Sequence, residues 1–283
     1  MQTNITKLQE ISKHGVITHK GHFHADDILS ASLLKITNII HDVRVIQRVG
    51  AVPDNFDGLV FDIGKGEFDH HQENAKYRSN GSKYASFGLL WRSIGTEYIM
   101  QKYNATAQDA KKAADKFDYD FIVPMDLTDN FGQGNYPNTL SYLIASRNNG
   151  DFTTTERDEI FYKIANDFCE YLESMIKTSY DFVNYQTQAI KISQKNPSGI
   201  AIFDVNDAFI PRNAFVGTNI KCIIKLTDRG TYNITTIDPY KIDNSFIKMP
   251  GCVQVWEIGA AFKTLENAKY AATQFVNNIN LSK

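Results

Sequence analysis

Residues 15–29 read Gly15-Val16-Ile17-Thr18-His19-Lys20-Gly21-His22-Phe23-His24-Ala25-Asp26-Asp27-Ile28-Leu29. The apolar run after Gly15 has the length and flanks of a buried strand. A polar turn, Lys20 to Asp27, follows it. Ile28, Leu29, Leu33, Leu34 and Ile36 then recur at near-helical spacing. Asp26 and Asp27 would open that helix, where the dipole of the aligned peptides favours carboxylates.

Working outward, residues 43–49 alternate apolar and polar as a strand does, and Leu59-Val60-Phe61-Asp62-Ile63-Gly64 is a second buried-strand run ending in an acid and a glycine. Strand, helix, strand, strand predicts an α/β domain with a mainly parallel sheet flanked by helices. Ligands bind at the carboxyl ends of such strands, which is where His19 and Asp62 fall. Helical patterns cover 84–103, 105–122 and 139–147, with Pro124 expected to stop or kink the second. The longest helix starts at the capping box Thr153-x-x-Glu156 and extends to about 185, burying Ile160, Ile164, Phe168, Leu172 and Met175. Beyond it come a turn at 195–199, a strand at 200–203, a hairpin over 222–238 about Asp228-Arg229-Gly230, a final strand at 253–258 and a helix at 265–276. The expected division is a catalytic domain, 1–190, that includes the connecting helix 153–185, and a smaller α/β substrate-binding domain, 191–283.

A chain of 283 residues accommodates one large domain or two ordinary ones. With 30 Lys and Arg against 32 Asp and Glu, the formal charge of −2 does not announce a nucleic-acid binder, so an anionic substrate must be held locally. The three cysteines, Cys169, Cys222 and Cys252, form no Cys-x-x-Cys pair, which suits a reducing compartment. No apolar stretch approaches the roughly 18 residues of a membrane span. A soluble, cytoplasmic protein without a membrane partner is expected, and a homo-oligomer is left open.

All seven histidines, His14, His19, His22, His24, His41, His70 and His71, lie in the first quarter of the chain. Core or surface histidines scatter, whereas a metal site needs imidazoles and carboxylates converging from neighbouring loops. His19-x-x-x-x-His24-x-Asp26 offers two nitrogen ligands and one oxygen ligand on one turn, although a polar turn with solvated histidines reads the same. Asp62 is either a turn former at a strand end or a carboxylate placed to bridge two cations. In Asp69-His70-His71 the adjacent imidazoles point to opposite sides of extended backbone, and Asp69 can fix a tautomer by accepting an imidazole N–H. The alternative there is an exposed charged turn.

Together these residues resemble the DHH phosphoesterase superfamily. The closer match is to the melanocyte proliferating gene family of DHH-like exonucleases. It is carried by Thr18-His19-Lys20-Gly21-His22-Phe23-His24-Ala25-Asp26-Asp27, Phe68-Asp69-His70-His71-Gln72, Asp126-Leu127-Thr128-Asp129-Asn130 and Met249-Pro250-Gly251-Cys252-Val253 with Lys263-Thr264. The resemblance implies two divalent metal ions, with manganese the first choice and magnesium, iron or zinc the others. His19, His24 and Asp62 would hold one ion, and Asp26, Asp62, His70 and a fourth-motif acid the other. Asp126 is preferred to Asp129 because it directly follows an apolar run, though an interval of three lets both face the site on a helical turn. Asp62, His71 and Asp69 form the expected catalytic set, with His71 donating to the scissile phosphate or the leaving oxygen.

The C-terminal part departs from the family pattern. Where a Gly-Gly-His-type loop is expected, this chain has Ala260-Ala261-Phe262, followed by the retained Lys263 and Thr264. Phe262 either stacks on a base or belongs to the core. Arg212, Lys221, Lys225 and Arg229 are phosphate contacts or solvated bases. The resemblance implies 3′ to 5′ exonuclease action on single-stranded RNA or short oligonucleotides by two-metal activation of water. The altered loop also admits a phosphodiesterase or phosphatase of small nucleotides, or a nucleic-acid-binding homologue without turnover.

Overall fold

The protein is described by a computed structural model covering residues 3–132, 137 and 139–281. Helix α1 (Asn4–Ser12) is capped by Thr3, whose hydroxyl accepts from the Thr6 N–H. Strand β1 (Val16–His19) then runs into the core, with Val16, Ile17 and Thr18 buried. Helix α2 (Ala25–Ile36) begins at His24, and the Asp27 carboxylate accepts the His24 N–H at 2.9 Å. Strands β2 (Ile46–Val49) and β3 (Leu59–Val60) pair with β1 on either side, both parallel. Residues 15–29 therefore form the central strand and the start of the helix that follows it, as their pattern predicts.

Two strands are shorter than the alternation implies. Val43–Val45 is a 3-10 turn because the Asp42 carboxylate takes the Arg44 N–H at 2.9 Å, so the strand starts at Ile46. Strand β3 ends at Val60, and its line continues only as a bridge between Phe61 and Phe68. Asp62 follows at φ 57°, outside any strand conformation.

Helices α3 (Ser86–Tyr103), α4 (Ala107–Phe117), α5 (Val123–Phe131) and α6 (Leu140–Ser146) follow. Pro124 does not end the helical run. Asp118–Ile122 forms a π-turn, and Pro124 falls in the first turn of α5, where its missing N–H is tolerated. Helix α7 (Thr154–Lys195) starts at the expected box, with the Thr153 N–H on Glu156 at 2.8 Å and the Glu156 N–H on Thr153 Oγ1 at 3.2 Å. It continues past 185 to Lys195. The chain forms two compact units, Met1–Tyr180 and Asp181–Lys283, so the division lies inside α7.

The second unit holds β4 (Ile200–Phe203), β5 (Cys222–Leu226), β6 (Tyr232–Thr236), β7 (Cys252–Trp256), β8 (Gly259–Phe262) and α8 (Leu265–Leu281). Its sheet order is β4-β5-β6-β8-β7, with β4 and β5 parallel and the other pairs antiparallel. Strand β8 was not anticipated, since Gly259-Ala260-Ala261 has little β-propensity of its own. It forms because it lies between β6 and β7. Phe262 is fully buried with Cys222, Ile224, Ile234 and Ala271. Of its two readings the core one therefore holds, and the ring is not available to stack on a base. Among the described residues no helix is long and apolar enough to cross a membrane.

Candidate metal centre

Five backbone segments deliver the sequence-predicted residues to one end of the parallel sheet. His19 closes β1, His24 and Asp26 stand at the start of α2, Asp62 follows β3, His70 and His71 follow the Phe61–Phe68 bridge, and Asp129 lies in α5. The left-handed backbone at Asp62 turns its carboxylate off the strand line, and aspartate is among the few non-glycine residues that tolerate this region. Its N–H is held by the Phe68 carbonyl at 3.0 Å.

The groups converge closely. His19 Nε2 lies 2.9 Å from Asp27 Oδ2 and 3.2 Å from Asp62 Oδ2. His70 Nε2 lies 3.0 Å from Asp62 Oδ1, 3.3 Å from Asp129 Oδ2 and 3.8 Å from Asp26 Oδ2. His24 Nδ1 is 3.4 Å from Asp129 Oδ1. Among the described residues, three sets of atoms have the spacing to hold a metal ion: His19 with Asp27 and Asp62, His70 with His71 and Asp62, and His24 with Asp26 and Asp129. Asp62 is common to the first two.

This grouping changes the ligand sets that the resemblance implied. His24 goes with Asp26 and Asp129, whereas Asp27, read only as a helix-opening charge, stands with His19 and Asp62. Asp126, the preferred fourth-motif acid, belongs to none of the three sets. It is fully buried, with its Oδ2 at 2.7 Å from Arg78 Nη2, and Arg78 also makes two bonds to Asp118 at 2.8 and 2.6 Å. The interval of three turns Asp126 inward from α5 and Asp129 toward His24 and His70.

The field of the site explains its titration. Burial works against a charge on His19, but its hydrogen bonds to Asp27 and Asp62 and their charges push its pKa up to about 11. Asp27 is the complement: burial opposes its ionisation, yet the His19 partnership holds it down to about 2. Burial, then the charges of Asp62 and Asp129, raise Asp26 well above the carboxylate range. Burial and Asp27 raise Asp62. His70 is raised too, because Asp62 and Asp129 outweigh its burial. The raised values of His19, Asp26, Asp62 and His70 all favour a positive charge, proton or metal, at the centre of the cluster.

Divalent cations fit this centre on the evidence of its unpaired atoms. Both Asp26 oxygens are buried and make no hydrogen bond, and the buried Asp62 Oδ1 and His70 Nε2 have only each other and the neighbouring acids to face. Buried carboxylates and imidazoles in that state are costly unless a cation satisfies them. Mixed imidazole and carboxylate donors suit manganese, iron or zinc better than magnesium.

Around these candidate ligands stand residues to which the sequence alone assigns no role. Asn130 Nδ2 donates to the Asp126 carbonyl at 2.9 Å and the Tyr84 carbonyl at 3.2 Å, which leaves Asn130 Oδ1 to accept from His70 Nδ1 at 3.0 Å. The loop before His24 is held by Asn148, which accepts the Phe23 N–H at 3.1 Å and donates to the Phe23 carbonyl at 2.6 Å, and by Arg48, which donates to Gly21 O at 2.9 Å. The only signal for Asn130 was its place in the motif beside Asp129. Asn148 and Arg48 left none. Asp69 behaves as its spacing implied, accepting His71 Nδ1 at 2.8 Å and the His71 and Lys65 N–H groups at 2.9 and 2.7 Å.

With this centre in place, comparison with known proteins decides the family. Residues 15–236 match the family MYG1_exonuc, described as an uncharacterised protein family (UPF0160). The chain belongs to this family. The MYG1 protein of Dictyostelium discoideum is 28% identical over 134 residues, covering 44% of this chain and 40% of that protein. The MYG1 exonuclease of Homo sapiens is 26% identical over 129 residues, covering 40% and 34%. The chain thus spans about 40% of the length of the MYG1 relatives it matches. Among solved structures, RecJ from Thermus thermophilus in complex with Mg2+ aligns over 97% of this chain and 52% of its own, with 11% identity and a TM-score of 0.26.

Other expected contacts lie in the second unit of this MYG1-family chain. Arg212 donates to the Thr236 carbonyl at 3.2 Å and to Asp238 at 3.0 Å. Lys263 is exposed, its N–H bonded to the Gly251 carbonyl. Thr264 serves the start of α8, its hydroxyl accepting from Asn267 N at 3.2 Å.

Proposed function

We propose that this MYG1-family chain is a divalent-metal-dependent phosphodiesterase that shortens single-stranded RNA or short oligonucleotides from one end, in the 3′ to 5′ direction the resemblance implies. The observation that carries this reading is the convergence of buried Asp26, Asp62 and His70 with Asp129, both Asp26 oxygens having no hydrogen-bond partner. Family membership and the human relative's designation as an exonuclease support it. Two ions are proposed, with manganese as the preferred metal. Asp62 would be shared between them, His19 and Asp27 lying to one side of it and His70, Asp26, Asp129 and His24 to the other. Asp126 is left out as a ligand.

Bound divalent cations lower the pKa of water toward neutrality and offset charge on a phosphate oxygen. The chain supplies the rest. Asp62, fixed by its left-handed turn, holds its two oxygens toward different imidazoles, His19 and His70. Asn130 commits His70 Nδ1 to donation and so leaves Nε2 as the ligand atom. His71 has a side chain 60% exposed, and Asp69 takes the proton on its Nδ1. With Nδ1–H committed to Asp69, His71 Nε2 is the lone-pair nitrogen of the neutral ring; only as the imidazolium, with a second proton taken from solvent and its charge offset by Asp69, would it donate to a phosphate oxygen or protonate the departing oxygen. In this reading the first unit performs hydrolysis and the second holds the substrate.

One observation favours a second reading, hydrolysis of small nucleotides. Ala260, Ala261 and Phe262 lie in a buried strand, so they offer no open backbone loop to a long strand's phosphates. Hydrolysis of 5′-labelled single-stranded RNA, a dinucleotide and para-nitrophenyl phosphate, with and without Mn2+, tests both readings. Stepwise shortening of RNA that is lost in His70→Ala supports the first. Turnover of only the small esters replaces it with the second, and no turnover with Mn2+ bound removes both.

A further inference from the structure

The second unit contains a cleft of about 490 Å3 that the proposed hydrolytic site does not use. That volume is in the range of small-molecule sites. Its floor follows from strand register: Phe203 pairs with Lys225, and Lys225 with Asn233, so an aromatic ring, an ammonium and an amide stand side by side across β4, β5 and β6. The next row brings Ile223 opposite Thr235. On this sheet face Ala201, Ile223 and Phe203 pack against the cluster around Phe215 and Ala189, Phe203 edge-on to Phe215 at 6.2 Å, and Lys225 and Asn233 continue the row beyond Phe203.

The wall of the cleft is the segment before Arg212. Phe209 is 66% exposed and Val205 43% exposed, an unusual outlay of apolar surface on a short loop. Lys225 Nζ sits over the Phe209 ring at 5.8 Å, and among the described residues no carboxylate pairs with it. Arg212, held by Thr236 and Asp238, adds a second cation to the lining, whose sole acid is Asp228 in the hairpin turn. Thr235 presents a hydroxyl and Asn233 an amide to the same space. An exposed ring, two cations and two hydrogen-bonding groups on one floor match a ligand with a flat heteroaromatic part and an anion.

We infer that this cleft binds one nucleotide unit, its base against Phe209 with edges toward Asn233 and Thr235, and its phosphate at Lys225 and Arg212. Aromatic faces accept any base, so no sequence preference is expected. The unit is either a free nucleoside monophosphate or part of a bound strand, and the second case rests on the hydrolytic reading proposed above.

The test is binding to the full chain in EDTA, which keeps metal and hydrolysis out of the measurement. Adenosine monophosphate, adenosine, inorganic phosphate and a six-nucleotide RNA are titrated while the backbone amides are followed by NMR. Adenosine monophosphate should shift the amides of Phe203, Lys225 and Asn233, and adenosine should bind more weakly. Phe209→Ala and Lys225→Met should each weaken the monophosphate about tenfold or more. Both side chains lie at the surface of the cleft, and unchanged circular dichroism and melting temperature in the two variants will separate lost binding from lost fold. RNA binding that is tighter and falls with salt identifies a strand unit, whereas RNA no tighter than the monophosphate identifies a free nucleotide. Wild-type affinity in both variants, shifts confined to the His19 and His70 region, or no binding at all would overturn the inference. Hydrolysis with Mn2+, and its loss in His70→Ala, stands or falls separately.

Discussion

Asn130 and His70 are joined by one hydrogen bond, 3.0 Å from Oδ1 to Nδ1, and the direction of that bond is fixed from behind by the backbone carbonyls that face the Asn130 amide nitrogen. Because the amide cannot flip without placing its oxygen against those carbonyls, His70 Nε2 is left facing Asp62, Asp129 and Asp26.

Replacing Asn130 with Ala removes this constraint without touching a ligand. Mn2+ affinity measured by calorimetry should fall by about 10- to 100-fold, the usual cost of losing such a partner. An unchanged affinity would mean that Asn130 serves only the packing of α5.

Metal binding should release protons. His19 is raised to about 11 and His70 is also raised, so at pH 7 the metal-free site holds protons that a cation must displace. Calorimetric titration of Mn2+ in buffers of different ionisation enthalpy should give a net release of about one proton or more, with affinity rising as pH rises. Proton uptake on binding would contradict the charge arrangement described for the centre.

Asp26 should trade function against stability. Its ionised form is opposed by burial, Asp62 and Asp129. In EDTA at pH 7.5, Asp26→Asn is expected to unfold at the same or higher denaturant concentration than wild type, by about 1 to 3 kcal/mol. Adding Mn2+ should then raise the melting temperature of wild type far more than that of the variant. Equal stabilisation of both would exclude Asp26 from the metal site.

Asp126 carries a separate pH signature. Burial, only partly offset by Arg78, raises its pKa to about 7 in the fold against an ordinary value of 3.8. The folded state therefore binds this proton more tightly. Its contribution is complete below about pH 4 and is lost as pH climbs through about 7, on the order of a few kcal/mol. Denaturation in EDTA from pH 5 to pH 8 should show a steeper loss in wild type than in Asp126→Asn. Parallel curves would mean that Arg78 keeps Asp126 ionised throughout.

Asn148→Ala should cost about 2 to 3 kcal/mol, since both backbone groups of buried Phe23 lose their partner. Mn2+ affinity should fall with it because His24 follows directly. Loss of stability with unaltered affinity would confine Asn148 to the fold.

The sequence by itself determined the local elements and most of the residue types that gather at the candidate centre. Strand β1, the start of α2, the capping box of α7 and the 222–238 hairpin follow from patterns within a few residues, where side-chain period and capping chemistry act directly. The clustering of histidines and the acids beside them marked the centre for the same reason: metal ligands must be imidazoles and carboxylates, and these occur in short ordered motifs. Tertiary structure alone decided which of Asp126 and Asp129 faces His70, because that depends on the π-turn before α5 and on Arg78 arriving from about forty residues earlier in the chain. It also decided that Asp27 joins His19 and Asp62, that Asn130 and Asn148 hold the site from outside, and that Phe262 is core. A side chain's role there is set by its neighbours across the fold, and those neighbours are distant in sequence.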